Sequence, residues 1–94
     1  VQTAPNLLYY RLEYGNVSLA LSKKLSDKKL VRRAIAVLER STADSRAAEE
    51  KVPLQQRLLN LEIRQYQALA DFYQSINNRP GIQRVNRELR KLRG

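Results

Sequence analysis

Apolar residues recur along the chain at steps of three and four, and these runs divide it into four helical segments. In the first, Leu7, Tyr10, Tyr14, Val17 and Leu21 form one stripe, and Leu8, Leu12 and Leu19 form a second about a third of a turn away. Asn6, just after Pro5, is the predicted N-cap of this helix, over about 6–24. A helix apolar on two sides requires two neighbours, so it is expected either at the centre of a bundle or against another chain. Gly15 interrupts the pattern where a bend or a close helix crossing would use it.

Ser26 and Asp27 read as a start signal for a second helix, over about 27–40. Its Leu30, Val31, Ala34, Ile35, Val37 and Leu38 occupy one half of the wheel; Lys28, Lys29, Arg32 and Arg33 occupy the other. Residues 41–53 then read as a weakly structured connector with a short helical piece, because Ser41, Thr42, Asp44 and Ser45 favour caps over helix interiors. Pro53 suits the first turn of the next helix, and also suits a kink in a longer one. That helix, over about 54–77, carries the strongest periodicity. Leu54, Leu58, Leu61, Leu69, Phe72 and Ile76 line one side, and Leu59, Ile63, Tyr66, Ala70 and Tyr73 line the adjoining side. Asn77, Asn78, Pro80 and Gly81 mark a turn, after which Ile82, Val85, Leu89 and Leu92 repeat over about 80–92 like a coiled-coil seam.

The predicted fold is therefore all-α, a single domain over 1–94. It is a small bundle of three to four mostly antiparallel helices, completed by oligomerisation if the wide apolar faces are shared between chains. No segment alternates with the period of two that marks a strand. The longest apolar run, Ala34 to Leu38, is far short of the ~20 residues that span a bilayer, so a soluble chain without a transmembrane helix is expected. The sequence opens on Val1 rather than Met, as a processed mature chain or an excised piece would. Localisation is left open.

Composition narrows the chemistry. The chain has no Cys and no His, hence no disulfide, no thiolate nucleophile, no zinc-finger ligand set and no imidazole proton shuttle. Ser26-Asp27-Lys28-Lys29 has the spacing S-x-x-K, but the other parts of such a site are missing, and Ser-Asp reads as a helix start. Glu49, Glu50 and Glu62 read as solvated carboxylates rather than an acid–base pair. Asn16-Val17-Ser18 matches a glycosylation pattern, yet it lies inside a predicted amphipathic helix. Neither a phosphate-cradling glycine loop nor a helix-turn-helix pattern is present. The chain is expected to be non-enzymatic, with no catalytic residue, metal, cofactor or small-molecule substrate.

Charge supplies the candidate binding residues. The net +9 is concentrated in two places. Lys23, Lys24, Lys28, Lys29, Arg32 and Arg33 stand against Asp27 alone, and Arg79, Arg84, Arg87, Arg90, Lys91 and Arg93, on a basic C-terminal segment 79–94, stand against Glu88 alone. Each cluster carries +5, and the rest of the chain sums to −1. Clusters of this size attract acidic surfaces or phosphates, whereas diffuse charge serves solubility. Tyr10 and Tyr14 fall on the main apolar stripe and are expected in a core or an interface; Tyr9 is the aromatic expected on the surface. The pattern points to an interaction module: a structural subunit, adaptor or assembly factor that docks a protein partner, or a second copy of itself, through apolar helix faces and basic clusters. The alternatives are non-specific contact with nucleic-acid phosphates and peripheral binding of the last helix to an anionic membrane.

Overall fold

A computed structural model describes the backbone of residues 4–49 and 56–93 and the side chains of 9–45 and 56–93. Four helices account for these residues: α1 (Ala4–Asp27), α2 (Val31–Glu49), α3 (Gln56–Ser75) and α4 (Arg79–Arg93), with no strand among them. The chain is a small all-α bundle. Successive helices are antiparallel: Ser41 and Glu39 of α2 meet Gln65 and Tyr73 of α3, and Tyr73 meets Arg84 of α4. The bundle is therefore two helical hairpins, α1–α2 and α3–α4. It is α3 that sits centrally, in contact with each of the other three, while α4 lies along α3. The two apolar stripes of α3 account for this position. Leu58, Leu61 and Leu69 on one and Tyr66 and Tyr73 on the other are buried, and they join Leu19, Ile35, Leu38, Val85 and Leu89 in the interior.

Both hairpins turn by one device. At the first, the Leu30 amide bonds to the Leu25 carbonyl (2.8 Å) and the Lys29 amide to that of Ser26 (2.9 Å), with Lys29 at φ 63°. At the second, Asn78 bonds back to Tyr73 (2.9 Å) and Asn77 to Gln74 (3.1 Å), with Asn77 at φ 57°. Each is a Schellman ending, in which a left-handed residue lets the last carbonyls find amide partners.

Several sequence expectations are corrected. Helix α1 starts at Ala4, so Asn6 lies inside it and not at its cap, and it runs on to Asp27. Ser26 and Asp27 therefore close α1 instead of opening α2, and Leu30, placed in the apolar half of a helix, lies in the turn. Residues 41–49, read as connector, continue α2. The helix tolerates Ser41, Thr42 and Ser45 because all three are buried against neighbours, where small side chains let helix backbones approach. Two of the hydroxyls also find partners: Thr42 Oγ1 donates to the Glu39 carbonyl one turn back (3.1 Å), and Ser41 Oγ accepts from Gln65 Nε2 of α3 (2.8 Å). The weak propensity of each residue, a few tenths of a kcal/mol, is outweighed by that packing. The expected starts at Leu54 and the role of Pro53 lie outside the described residues.

Gly15 is a point of close crossing. A Cβ there would fall 2.4 Å from Leu61 Cδ2, and the Gly15 carbonyl accepts a hydrogen bond from Gln65 Nε2 at 3.1 Å. The face of α1 turned inward is consequently one of small residues, Gly15, Ser18 and Ser22, with Leu19 beside them.

Candidate functional site

Because α1 buries its small residues, its large apolar stripe is turned outward. Tyr10 and Val17 are each 65% exposed, and Tyr14 and Leu21 are exposed as well. Of the two places expected for Tyr10 and Tyr14, a core or an interface, the core is excluded: a close crossing at Gly15 and large side chains on the same face are sterically incompatible. Tyr9 is also exposed and meets Tyr10 edge-on, with ring centroids 6.1 Å apart. Beside the stripe runs a groove of about 340 Å³ between α1 and α2, lined by Tyr14, Val17, Ser18 and Leu21 on one side and Ala36, Val37 and Arg40 on the other. Ala36 is exposed and Val37 partly so. Exposed apolar surface organised into a stripe and a groove is the usual mark of an interaction site, because leaving it in water forgoes roughly 25 cal/mol per Å².

The basic residues are divided among three settings. Lys23 and Lys24 end α1, Lys28 and Lys29 form the turn, and Arg32 and Arg33 occupy the first turn of α2; all six are exposed. Lys24 on the last turn of α1 complements its dipole, but arginines on the first turn of α2 oppose its positive end. Lys29, Arg32 and Arg33 line an open cleft of about 420 Å³ with Leu30, Val31 and Ile76. Ile76 belongs to the α3–α4 turn, so both turns lie at one end of the bundle, and Arg79, opening α4, stands at that end too. The remaining arginines run back along α3. Arg90 and Arg93 line a second cleft of about 440 Å³ with Asn86 and Leu89, and Arg87 and Lys91 are exposed.

Arg84 is the exception among the candidate binding residues, since the fold already uses it. Its Nη2 donates to Glu39 Oε2 (3.2 Å) and to the Tyr73 hydroxyl (2.8 Å), and its guanidinium lies 5.9 Å from the centre of the Tyr73 ring. The Tyr73 hydroxyl in turn donates to Glu39. This junction ties α2, α3 and α4 together. Burial pushes the Tyr73 phenol above its ordinary value, the hydrogen bond to Glu39 acts in the same direction, and the Arg84 cation opposes both. Arg84 is accordingly a structural residue, half exposed, and not a free cation. Nothing in the sequence foretold the junction, because Glu39 and Arg84 are 45 residues apart and meet only through the antiparallel packing.

Among the described residues no group of His, Cys, Asp or Glu could hold a metal ion, and no helix is long and apolar enough to cross a membrane. No family model, curated protein or solved structure matches the chain.

Proposed function

We propose that this chain is a non-enzymatic helical interaction module, a structural subunit, adaptor or assembly factor, that docks a protein partner on the outward face of α1 and its groove with α2. The observation that carries this reading is the orientation of α1, with Gly15, Ser18 and Ser22 packed inward and Tyr10, Tyr14, Val17 and Leu21 left in water. An amphipathic surface helix hides its large apolar groups unless another surface is to cover them. The basic clusters supply long-range attraction and orientation for an acidic partner.

The test compares the full chain with a Val17→Glu, Leu21→Glu variant as bait, with nuclease present. The reading expects a specific protein retained by the parent, resistant to nuclease and lost with the variant. Equal retention by both, or loss on nuclease treatment alone, overturns it.

A second reading is contact with nucleic-acid phosphates, favoured by six exposed cations around one turn with Asp27 the one acid among them in sequence. It requires binding that weakens steeply with salt and loses slope when Lys28, Lys29, Arg32 and Arg33 are neutralised. Absence of binding at about 50 mM salt removes it. Attachment of α4 to anionic lipid draws less support, since Val85 and Leu89, which would enter the lipid, are buried on α3.

A further inference from the structure

We infer that the occupant of the α1–α2 groove is a single amphipathic helix from a different protein, carrying carboxylates along the flank of its apolar face; this rests on the interaction-module reading above. Two antiparallel helices leave between them a shallow trough, walled by Tyr14, Val17 and Leu21 and floored by the small residues Ser18 and Ala36. From Tyr14 to Leu21 is two turns, about 10 Å along the axis, and Tyr10 extends the wall by one more turn. A third helix fits such a trough by laying down residues at i, i+3 or i+4, and i+7. An extended strand does not, because α1 and α2 have no free backbone edge to pair with it.

Charge then selects among helices. Arg40 lines the groove with its side chain 80% exposed, and its one ion-pair partner among the described residues is Asp44, at 4.0 Å on the same helix. Exposed i, i+4 pairs of this kind contribute little, so Arg40 is readily recruited by a stronger partner. Lys24, one turn beyond Leu21, continues the α1 stripe as an exposed cation. Glu13 falls on the opposite flank of the stripe from Ser18 by the repeat of about 3.6 residues, so it does not offset Arg40 across the groove. Over residues 4–45 the hairpin holds eight Lys and Arg against four Asp and Glu.

The same charges argue against a second copy of this chain as the occupant. A second copy brings the same surplus of Lys and Arg over Asp and Glu to both sides of the contact, and each copy carries +9. Like-charge juxtaposition at an interface is repulsive, whereas a carboxylate-flanked helix turns the same groups into attraction.

The experiment titrates the full isotopically labelled chain with three designed helical peptides of about 18 residues, or about 27 Å. They share one Leu/Ile face and carry Glu, Gln or Lys on its flanks. Backbone amide shifts locate binding, and sedimentation equilibrium of the chain alone reports self-association. The inference expects the Glu peptide to bind with shifts centred on Tyr14–Leu21 and Ala36–Arg40. The Lys peptide should bind at least about ten-fold more weakly, a difference of about 1.4 kcal/mol. Val17→Glu, which is exposed and should leave the helical spectrum unchanged, should abolish groove binding, and Arg40→Glu should shrink the preference for Glu over Lys. Equal binding of Glu and Lys peptides in the groove overturns the charge assignment and leaves the interaction module standing. So does self-association abolished by Val17→Glu, which makes a second copy the occupant. Shifts confined to Lys28–Arg33 overturn the groove as the site. If neither peptide binding nor self-association moves groove residues, the proposed docking face falls with the inference.

Discussion

The two hairpin turns have one hydrogen-bonding pattern and two very different chemistries. In the α3–α4 turn the left-handed position is held by Asn77, a residue that tolerates it, and the next residue, Asn78, caps α4 by accepting the Gly81 amide on Oδ1 at 3.0 Å. In the α1–α2 turn the left-handed position is held by Lys29 and the capping position by Leu30, which has no side-chain acceptor to offer. Arg32 and Arg33 then follow in the first turn of α2, where no acidic residue balances them. Local preference therefore agrees with the fold at one turn and conflicts with it at the other. Such conflicts concentrate where a sequence serves something besides stability. Asn or Gly at position 29 would relieve the turn but remove a cation from the basic end of the molecule, and Asp at position 30 would add an anion there.

The same contrast extends along the hairpins. Where α3 and α4 meet, large apolar groups are inside: Gly81 lies against the Tyr73 ring, and Val85 and Leu89 are buried. Where α1 meets its neighbours, small and polar residues are inside, and the Gln65 amide bridges Gly15 and Ser41 while its Oε1 has no hydrogen-bond partner. The α3–α4 hairpin turns its large apolar groups inward, and α1 leaves Tyr10, Val17 and Leu21 in water.

Of the substitutions that separate the two hairpins, Gly81→Ala is expected to have the largest effect. A Cβ there would fall 2.6–2.8 Å from three atoms of the Tyr73 ring. Because that ring is buried and its hydroxyl is bonded, Gly81→Ala should destabilise by about 1–3 kcal/mol, despite the better helix propensity of Ala. Thermal unfolding checks this, at about 4–8 °C per kcal/mol for a chain of this size.

Tyr73→Phe comes next. It keeps the ring and removes the hydroxyl, so urea titration should show a loss of about 1–2 kcal/mol near neutral pH, reduced from the value for fully buried partners because Glu39 and Arg84 are half exposed. The loss should depend on pH. The folded-state pKa of Tyr73 is raised, so its contribution is fully present below the ordinary value of 10.0 and fades as pH rises through the folded value, the unfolded chain ionising first. The gap between parent and Tyr73→Phe should therefore narrow above about pH 10; a gap that widens there contradicts the assignment.

At the other turn the sign reverses. Lys29→Gly relieves the left-handed backbone, and Leu30→Asp supplies a cap and a favourable charge for the α2 dipole, so each should stabilise by about 0.5–1 kcal/mol. Loss of stability in both would mean that the turn is already optimised and that the contrast fails. The smallest effect is expected on the outer face of α1, where Val17→Glu should change stability by no more than about 0.5 kcal/mol. A larger loss would show that Val17 belongs to the packed interior.

The periodic runs of Leu, Val, Ile and Tyr made the four helices and the Asn77–Asn78 turn legible, because a three-four spacing and a left-handed Asn are local properties. The end of α2 was not legible. Ser41, Thr42 and Ser45 read as connector residues, and only the partners that bury them reverse that preference. The basic clusters were equally visible as charge, yet Arg84 could be separated from the other cations only once Glu39 and Tyr73 had been brought beside it.

Helix formation and the places where positive charge accumulates follow from the sequence alone, since each depends on neighbours within a turn or two; the helix count, three to four by sequence, is four among the described residues. Tertiary structure decided which face of α1 looks inward. Two apolar stripes and a small-residue face compete for the interior of a two-sided helix, and hydrophobicity alone favours the stripe of Tyr10, Tyr14, Val17 and Leu21. The close approach of Leu61 and Gln65 to Gly15 leaves no room for those side chains, so steric fit between helices assigns them to the surface.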